Sequence, residues 1–88
     1  MDSIALKKLA GINRLPVLES SCSNGECEYV LIDATSSHRQ ALLDSGFTED
    51  ELSDENVFDS DDSVIDVSVL AFEFAGATWF DSRTGFSL

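Results

Sequence analysis

The dipeptide Asn24-Gly25 is the feature of this sequence that most restricts its fold. Residues 17–23 and residues 26–33 flank it and are two candidate strands. Asn-Gly readily supplies the two positive φ angles that a type I′ turn requires. The sequence therefore predicts a β-hairpin with its turn at these two residues.

A two-residue turn also fixes which residues of the hairpin lie opposite each other. In the predicted register Cys22 lies opposite Cys27, and Ser20 lies opposite Tyr29. One face of the hairpin then carries the apolar side chains and the cysteines, namely Leu18, Cys22, Cys27, Tyr29 and Leu31. The opposite face carries Ser21, Ser23, Glu26 and Glu28.

This register brings the two cysteines within reach of a disulfide, because Cα atoms of a non-hydrogen-bonded pair lie about 4.5 Å apart. The start of the chain does not resemble a secretory signal, since Lys7 and Lys8 interrupt its apolar residues. We therefore expect an intracellular, cytoplasmic protein. In that compartment Cys22 and Cys27 are expected to be reduced thiols, packed as small apolar groups.

Two other roles for the cysteines have less support in the sequence. A zinc site needs four ligands, and His38 is the one histidine in the chain. A redox-active pair needs a lowered thiol pKa, whereas the neighbouring Glu26 and Glu28 would raise it. We therefore expect neither a metal site nor a cofactor.

Residues 2–13 have the spacing of an amphipathic helix. Asp2-Ser3 offers a capping residue, and apolar side chains follow at approximately helical intervals, as Ile4, Leu6, Leu9 and Ile12. Pro16 prevents the helix from continuing. The sequence therefore predicts an N-terminal helix that ends before the hairpin.

A second helix is predicted from Ser36 or Ser37, as its cap, to Leu43. Gly46 suits the left-handed conformation that often follows a helix. In such a Schellman motif Phe47 contacts Leu42, so the sequence specifies where this helix ends.

A third, short helix is predicted over Glu49–Glu55. Thr48 and Glu51 have the spacing of a capping box, and Phe47 and Leu52 occupy the two positions of a hydrophobic staple. Phe47 is therefore expected to be buried between the second and third helices.

Residues 56–63 predict an acidic connector, and residues 64–75 predict a strand. The apolar alternation of this strand changes phase between Val69 and Leu70, which burial on both faces or a bulge would explain. A turn at Ala75-Gly76 would place Phe72 opposite Trp79. Residues 81–85 have the composition of a further turn.

The predicted elements form one small α+β domain, residues 1–88. It contains an antiparallel sheet of two hairpins, an N-terminal helix and two short central helices. With 43% hydrophobic residues, the chain has enough apolar side chains to pack a core despite its acidity.

The negative charge of the chain is concentrated in one segment. Ten of the seventeen acidic residues lie between Asp44 and Asp66, with no Lys or Arg among them. From residue 44 onward twelve acids face Arg83 alone, a net charge of −11, whereas residues 1–43 have five acids, four bases and a net charge of −1. Such a segment repels nucleic acid and anionic membranes and attracts basic partners.

The leading hypothesis is that these carboxylates occupy the basic surface with which another protein binds nucleic acid. By analogy of size and charge, the chain resembles phage-encoded DNA mimics that inhibit CRISPR or restriction complexes, and it would then act in the host cytoplasm. We expect no enzymatic activity, no direct binding of nucleic acid and no membrane partner. The expected binding residues are Glu49, Asp50, Glu51, Asp54, Glu55, Asp59, Asp61 and Asp62.

Several alternatives use the same features. The protein could be an immunity protein or antitoxin that neutralises a nuclease, or a small redox domain. The acids could form a solvated face that only keeps the chain dispersed. A calcium site is a further alternative, since Asp59 and Asp61 have the spacing that begins an EF-hand loop. However, Val64 stands where that loop needs Gly, and Leu70 stands where it needs Glu.

Overall fold

A computed structural model describes residues 3–88 of the chain. The elements, in chain order, are α1 (Ser3–Asn13), β1 (Glu19–Ser23), β2 (Glu26–Asp33), α2 (Ser36–Asp44), α3 (Glu49–Leu52), β3 (Phe58–Asp59), β4 (Val64–Asp66), α4 (Val67–Val69), a π-helical segment (Leu70–Phe74), β5 (Trp79–Asp81) and β6 (Gly85–Ser87). Strands β1 to β4 form an antiparallel sheet in the order β1-β2-β4-β3, and β5 pairs with β6. The predicted α+β class, with its N-terminal helix and antiparallel sheet, is confirmed.

The hairpin at Asn24-Gly25 is confirmed. Asn24 has a φ of 54° and Gly25 a φ of 80°, the positive pair that a type I′ turn needs. Ser23 faces Glu26 and Cys22 faces Cys27, as the two-residue turn predicts. The local sequence therefore determines the conformation of this turn and the pairing of the strand residues next to it.

Beyond the cysteines the predicted register is wrong. Tyr29 lies opposite Ser21 rather than Ser20, so Glu28 is left without a partner in β1 and forms a β-bulge. The extra residue reverses the alternation of faces along β2. Val30 and Ile32 are therefore the residues that the sheet buries.

The apolar face predicted for this hairpin is correspondingly wrong. Leu18 is 55% exposed, and Tyr29 and Leu31 are only partly buried. Cys27 keeps its predicted side and packs against the core, because it precedes the bulge.

Helix α1 is confirmed, but its buried stripe is offset from the predicted one. Ala5, Leu9 and Ile12 are buried, at the i, i+4, i+7 spacing of one helix face. Ile4 and Leu6 lie outside this stripe and are 67% and 42% exposed. Asp2, the first part of the predicted cap, lies outside the described residues.

The capping residue of α2 is Thr35, not Ser36 or Ser37. The Thr35 hydroxyl accepts a hydrogen bond from the backbone N–H of His38, at 3.1 Å. At the other end Gly46 has a φ of 115°, and the N–H of Phe47 donates to the carbonyl of Leu42. The predicted Schellman motif is therefore confirmed.

The capping box of α3 is also confirmed. Glu51 N–H donates to the Thr48 hydroxyl at 3.2 Å, and Thr48 N–H donates to the Glu51 carboxylate at 2.9 Å. Phe47 and Leu52 are both buried, as the staple requires. The helix ends at Leu52 rather than Glu55, because the chain turns so that the N–H groups of Val57 and Phe58 donate to the carbonyl of Asp54.

Residues 56–63 are not only a connector, since they contain strand β3. Phe58 lies opposite Ile65 and Asp59 lies opposite Val64. The short turn between β3 and β4 thus belongs to the edge of the main sheet.

The predicted strand over residues 64–75 is wrong after its third residue. The Asp66 carboxylate accepts a hydrogen bond from the N–H of Ser68 at 3.0 Å, which caps α4 and ends the strand. Val67, Leu70 and Ala71 are buried at helical spacing along α4 and the π-helical segment.

The C-terminal hairpin also differs from the predicted one. Trp79 lies opposite Ser87 rather than Phe72, while the turn predicted at residues 81–85 is confirmed and joins β5 to β6. Phe86 is buried and packs edge-on against Phe72, with ring centroids 5.4 Å apart. This pair attaches the small sheet to the core.

The buried side chains come from both sheets and from all four α-helices and form one hydrophobic cluster. Among residues 3–88 every buried side-chain nitrogen and oxygen has a hydrogen-bond partner. None of the helices in this part of the chain combines the length and apolar composition needed to cross a membrane.

Replacing Asp66 by Ala tests how the sheet is held. The variant loses the cap of α4 and leaves the N–H of Val30 without its acceptor, which together should lower the free energy of unfolding by about 2–4 kcal/mol. Urea denaturation measures this loss. Asp66→Asn is the matched control, because its amide oxygen still accepts hydrogen bonds and the loss should be smaller. A loss below about 1 kcal/mol in Asp66→Ala would show that the carboxylate does not hold these elements.

Candidate functional site

The eight predicted carboxylates lie on two neighbouring segments, which we call the acidic surface. One segment is α3 with the turn that follows it, and the other is strand β3 with the turn to β4. Most of the side chains are exposed: Glu49, Asp50, Glu55, Asp59, Asp61 and Asp62. Glu51 and Asp54 are partly buried.

The two partly buried acids have structural roles in the first segment. Glu51 completes the capping box of α3. Asp54 accepts a hydrogen bond from the N–H of Asn56 at 2.9 Å, which orders the turn after the helix. Their carboxylates thus accept hydrogen bonds from the backbone, whereas the side chains of Glu49, Asp50 and Glu55 are exposed.

The second segment crowds three acids around one turn. The Asp59 carboxylate accepts a hydrogen bond from the N–H of Asp61 at 3.0 Å, and Ser63 takes a φ of 52° before β4 begins. The pKa of Asp62 is raised above its ordinary value, first by the negative charge of Asp59, then by a hydrogen bond with Asp59, by desolvation and by the charge of Asp61. The carboxylates of this turn therefore repel one another.

Arg39 connects the two segments. Its guanidinium lies 3.8 Å from the Glu49 carboxylate and 5.3 Å from the centre of the Phe58 ring. Within residues 3–88 the Arg39–Glu49 contact is the one ion pair. A single partly exposed cation does not neutralise this surface, and such a pair contributes about 0–1 kcal/mol.

The sheet adds an acid that sequence reasoning missed. Asp33 in β2 lies opposite Val64, and Val64 lies opposite Asp59, so the three residues form one row across the sheet. With strands 4.7–4.9 Å apart, the Cα atoms of Asp33 and Asp59 are about 10 Å from each other. No local signal could have found Asp33, because the pairing of β2 with β4 joins residues far apart in sequence.

The acids between Asp44 and Asp66 do not form one continuous surface, because the two at the ends of this segment have other roles. Asp44 accepts a hydrogen bond from the Gln40 side chain at 2.8 Å on α2. Asp66 is partly buried and accepts hydrogen bonds from Val30 and Ser68. The usable negative surface therefore lies between residues 49 and 62, with Asp33 beside it.

Metal binding requires donors that converge. In the part of the chain that the structure describes, no group of three or more His, Cys, Asp or Glu side chains is arranged to hold a metal ion. What this surface offers instead is separate carboxylates, each able to accept hydrogen bonds from an Arg or Lys of a partner.

The cysteines do not have the expected state. Cys22 and Cys27 are joined in a disulfide, with Cα atoms 4.0 Å apart, instead of packing as two reduced thiols. Their predicted register placed them opposite each other, and this proximity permits the bond.

No protein family, curated protein or solved structure matches this chain. Its function is therefore inferred from charge and geometry alone.

Replacing Asp62 by Asn should stabilise the protein at neutral pH, because it removes a charge that Asp59 and Asp61 repel. A raised pKa in the folded state means that wild-type stability falls as pH rises from the ordinary Asp value of 3.8 through the higher folded value. The gain from Asp62→Asn should therefore appear over this range and vanish below it. Thermal denaturation from pH 2.5 to pH 7 measures it.

Glu19→Gln, which removes an exposed acid of edge strand β1, is the control for this pH series. If Asp62→Asn is no more stable than wild type at pH 7, or is more stable by the same amount at all pH values, charge repulsion at the β3–β4 turn does not destabilise the protein.

Proposed function

We propose that this protein is a non-enzymatic inhibitor that occupies the basic nucleic-acid-binding surface of another protein. It would act in the manner of phage DNA mimics that block CRISPR or restriction complexes, in the cytoplasm of the host. The observation that carries the proposal is the acidic surface: six exposed carboxylates on two locally ordered segments, of which one, Glu49, is paired with Arg39.

The order of this surface supports binding over simple solvation. The capping box fixes α3, the Asp54 and Asp59 carboxylates fix the turns after it, and Arg39 contacts both segments. A surface that is ordered before binding loses less conformational entropy when a partner docks. Acids that only kept a protein dispersed would not need this arrangement.

The electrostatics support a partner rich in Arg. The repulsion that raises the pKa of Asp62 would be relieved by a cation placed among Asp59, Asp61 and Asp62. Arg is the favoured partner for such carboxylates, since its planar guanidinium donates two parallel hydrogen bonds and is weakly hydrated. Surfaces that bind nucleic-acid phosphates present such side chains.

The charge distribution also argues against the polyanion itself as the ligand. A chain with a net charge of −12 repels DNA and RNA at long range. Competition with nucleic acid for a shared basic surface is therefore the expected mode of action. The rate at which the protein associates with its basic partner should fall steeply as salt is added.

Displacement of proteins from DNA-cellulose tests the proposal. The wild-type chain, added at moderate salt to a column loaded with bacterial DNA-binding proteins, should release at least one of them. A variant with Glu55, Asp61 and Asp62 changed to Lys should release none, because three exposed carboxylates of the acidic surface are reversed. None of these three carboxylates caps the helix or accepts a backbone hydrogen bond in the turns described above, so the variant should remain folded.

A variant with Glu19, Glu26 and Glu28 changed to Lys is the matched control. It alters the net charge by the same amount on exposed residues of the β1–β2 hairpin. It should displace the same proteins as wild type. Equal displacement by both variants, or none by wild type, would assign the acids to solvation and overturn the proposal.

A further inference from the structure

The Cys22–Cys27 disulfide lies at the surface, next to the turn of the β1–β2 hairpin. Cys22 is exposed, whereas Cys27 is partly buried and packs against the hydrophobic cluster. A thiolate arriving from solvent therefore reaches the sulfur of Cys22 more easily than that of Cys27. Access to one sulfur is a main determinant of where thiol–disulfide exchange occurs.

Two clefts flank the disulfide, and their charges differ. One, of about 390 Å³, is lined by Cys22, Trp79, Asp81 and Arg83 among others, so its two charged side chains balance. The other, of about 260 Å³, is lined by both cysteines with Glu26 and Glu28. The two glutamates of the second cleft repel an anionic thiol. Arg83, in the first cleft, attracts it and is the one cation that lines either cleft.

The turn that the disulfide closes supports the C-terminal hairpin. The indole of Trp79 lies directly against Gly25, where an added Cβ would clash with the ring. The N–H of Phe80 donates to the carbonyl of Gly25 at 2.9 Å. A change in the hairpin turn therefore alters the surroundings of β5 and of Trp79, the single tryptophan of the chain.

The disulfide is not needed to bring its two strands together. Only four residues lie between the cysteines, and the stabilisation from a disulfide grows with the length of the loop that it closes. The type I′ turn and the pairing of β1 with β2 already close this short loop. The bond can therefore open without unfolding the domain.

We propose that Cys22–Cys27 is a reversible thiol–disulfide exchange site for anionic low-molecular-weight thiols, which enter through the cleft of Trp79 and Arg83. The thiolate attacks the sulfur of Cys22, forms a mixed disulfide there and releases Cys27 as a thiolate, which takes a proton from water. A second thiolate then attacks the sulfur of the small thiol in the mixed disulfide. This attack releases Cys22 as a thiolate, which takes a proton from water. The two small thiols leave joined to each other as a disulfide. This inference is independent of the acidic surface.

The experiment compares glutathione, an anionic thiol, with 2-mercaptoethanol, a neutral one, on the oxidised full-length chain. Reduction is followed by Trp79 fluorescence, and trapped intermediates are mapped by mass spectrometry. Arg83→Gln should slow the reaction with glutathione about two- to fivefold, the effect of one exposed charge. It should slow the reaction with 2-mercaptoethanol less, because the attacking thiolate of 2-mercaptoethanol carries less negative charge than that of glutathione. The mixed disulfide should map to Cys22, and circular dichroism should show that the reduced protein stays folded.

Arg14→Gln is the matched control, because Arg14 is also exposed but lines neither cleft. It should change neither rate. Any of three results would overturn the proposal: reduction no faster than global unfolding, a mixed disulfide on Cys27, or equal slowing of both thiols by Arg83→Gln. The first of these would make the bond a structural crosslink.

Discussion

The carboxylate of Asp66 is the interaction on which the arrangement of this fold depends. It accepts hydrogen bonds from the N–H of Val30 in β2 and from the N–H and hydroxyl of Ser68 in α4. The Asp66 N–H donates to the carbonyl of Val57, just before β3, at 2.7 Å. One residue thus joins β2, β4 and the approach to β3, and it turns the chain from strand into helix. The β3–β4 turn is held at the edge of the sheet as a result, and Arg39 links strand β3 to α3 through Phe58 and Glu49.

Strand β2 separates two chemically different ends of the molecule. It runs from Glu26, beside the disulfide and Trp79, to Asp33, beside the β3–β4 turn, a distance of about 23 Å for its eight residues. The six large apolar side chains that are exposed within residues 3–88 all lie outside residues 44–66. A partner that docks on the acidic surface therefore leaves the disulfide cleft open to solvent. The two proposals accordingly concern different parts of the protein and can fail independently.

Sequence reasoning succeeded where a few neighbouring residues determine the backbone. Asn24-Gly25, Gly46 and the Thr48–Glu51 capping box each act over one turn, and each is confirmed. It failed where distant residues decide. The bulge at Glu28 and the pairing of β2 with β4, which adds Asp33 to the acidic surface, have no local signal. Residues 67–75 carried a helical apolar spacing as well as Val and Phe, and the contacts of Asp66 decide in favour of helix. The register of the cysteines was predictable, whereas their joining in a disulfide was not.

Hydrogen–deuterium exchange tests the central claim most directly, namely that the acidic surface binds a basic partner. Amide exchange is compared between the free chain and the chain bound to a protein that it displaces from DNA-cellulose. The account predicts slower exchange over residues 49–62 on binding, with residues 22–27 and 79–83 unchanged. Slower exchange confined to residues 22–27 and 79–83 would contradict it, because the partner would then bind the end that carries the disulfide and Trp79.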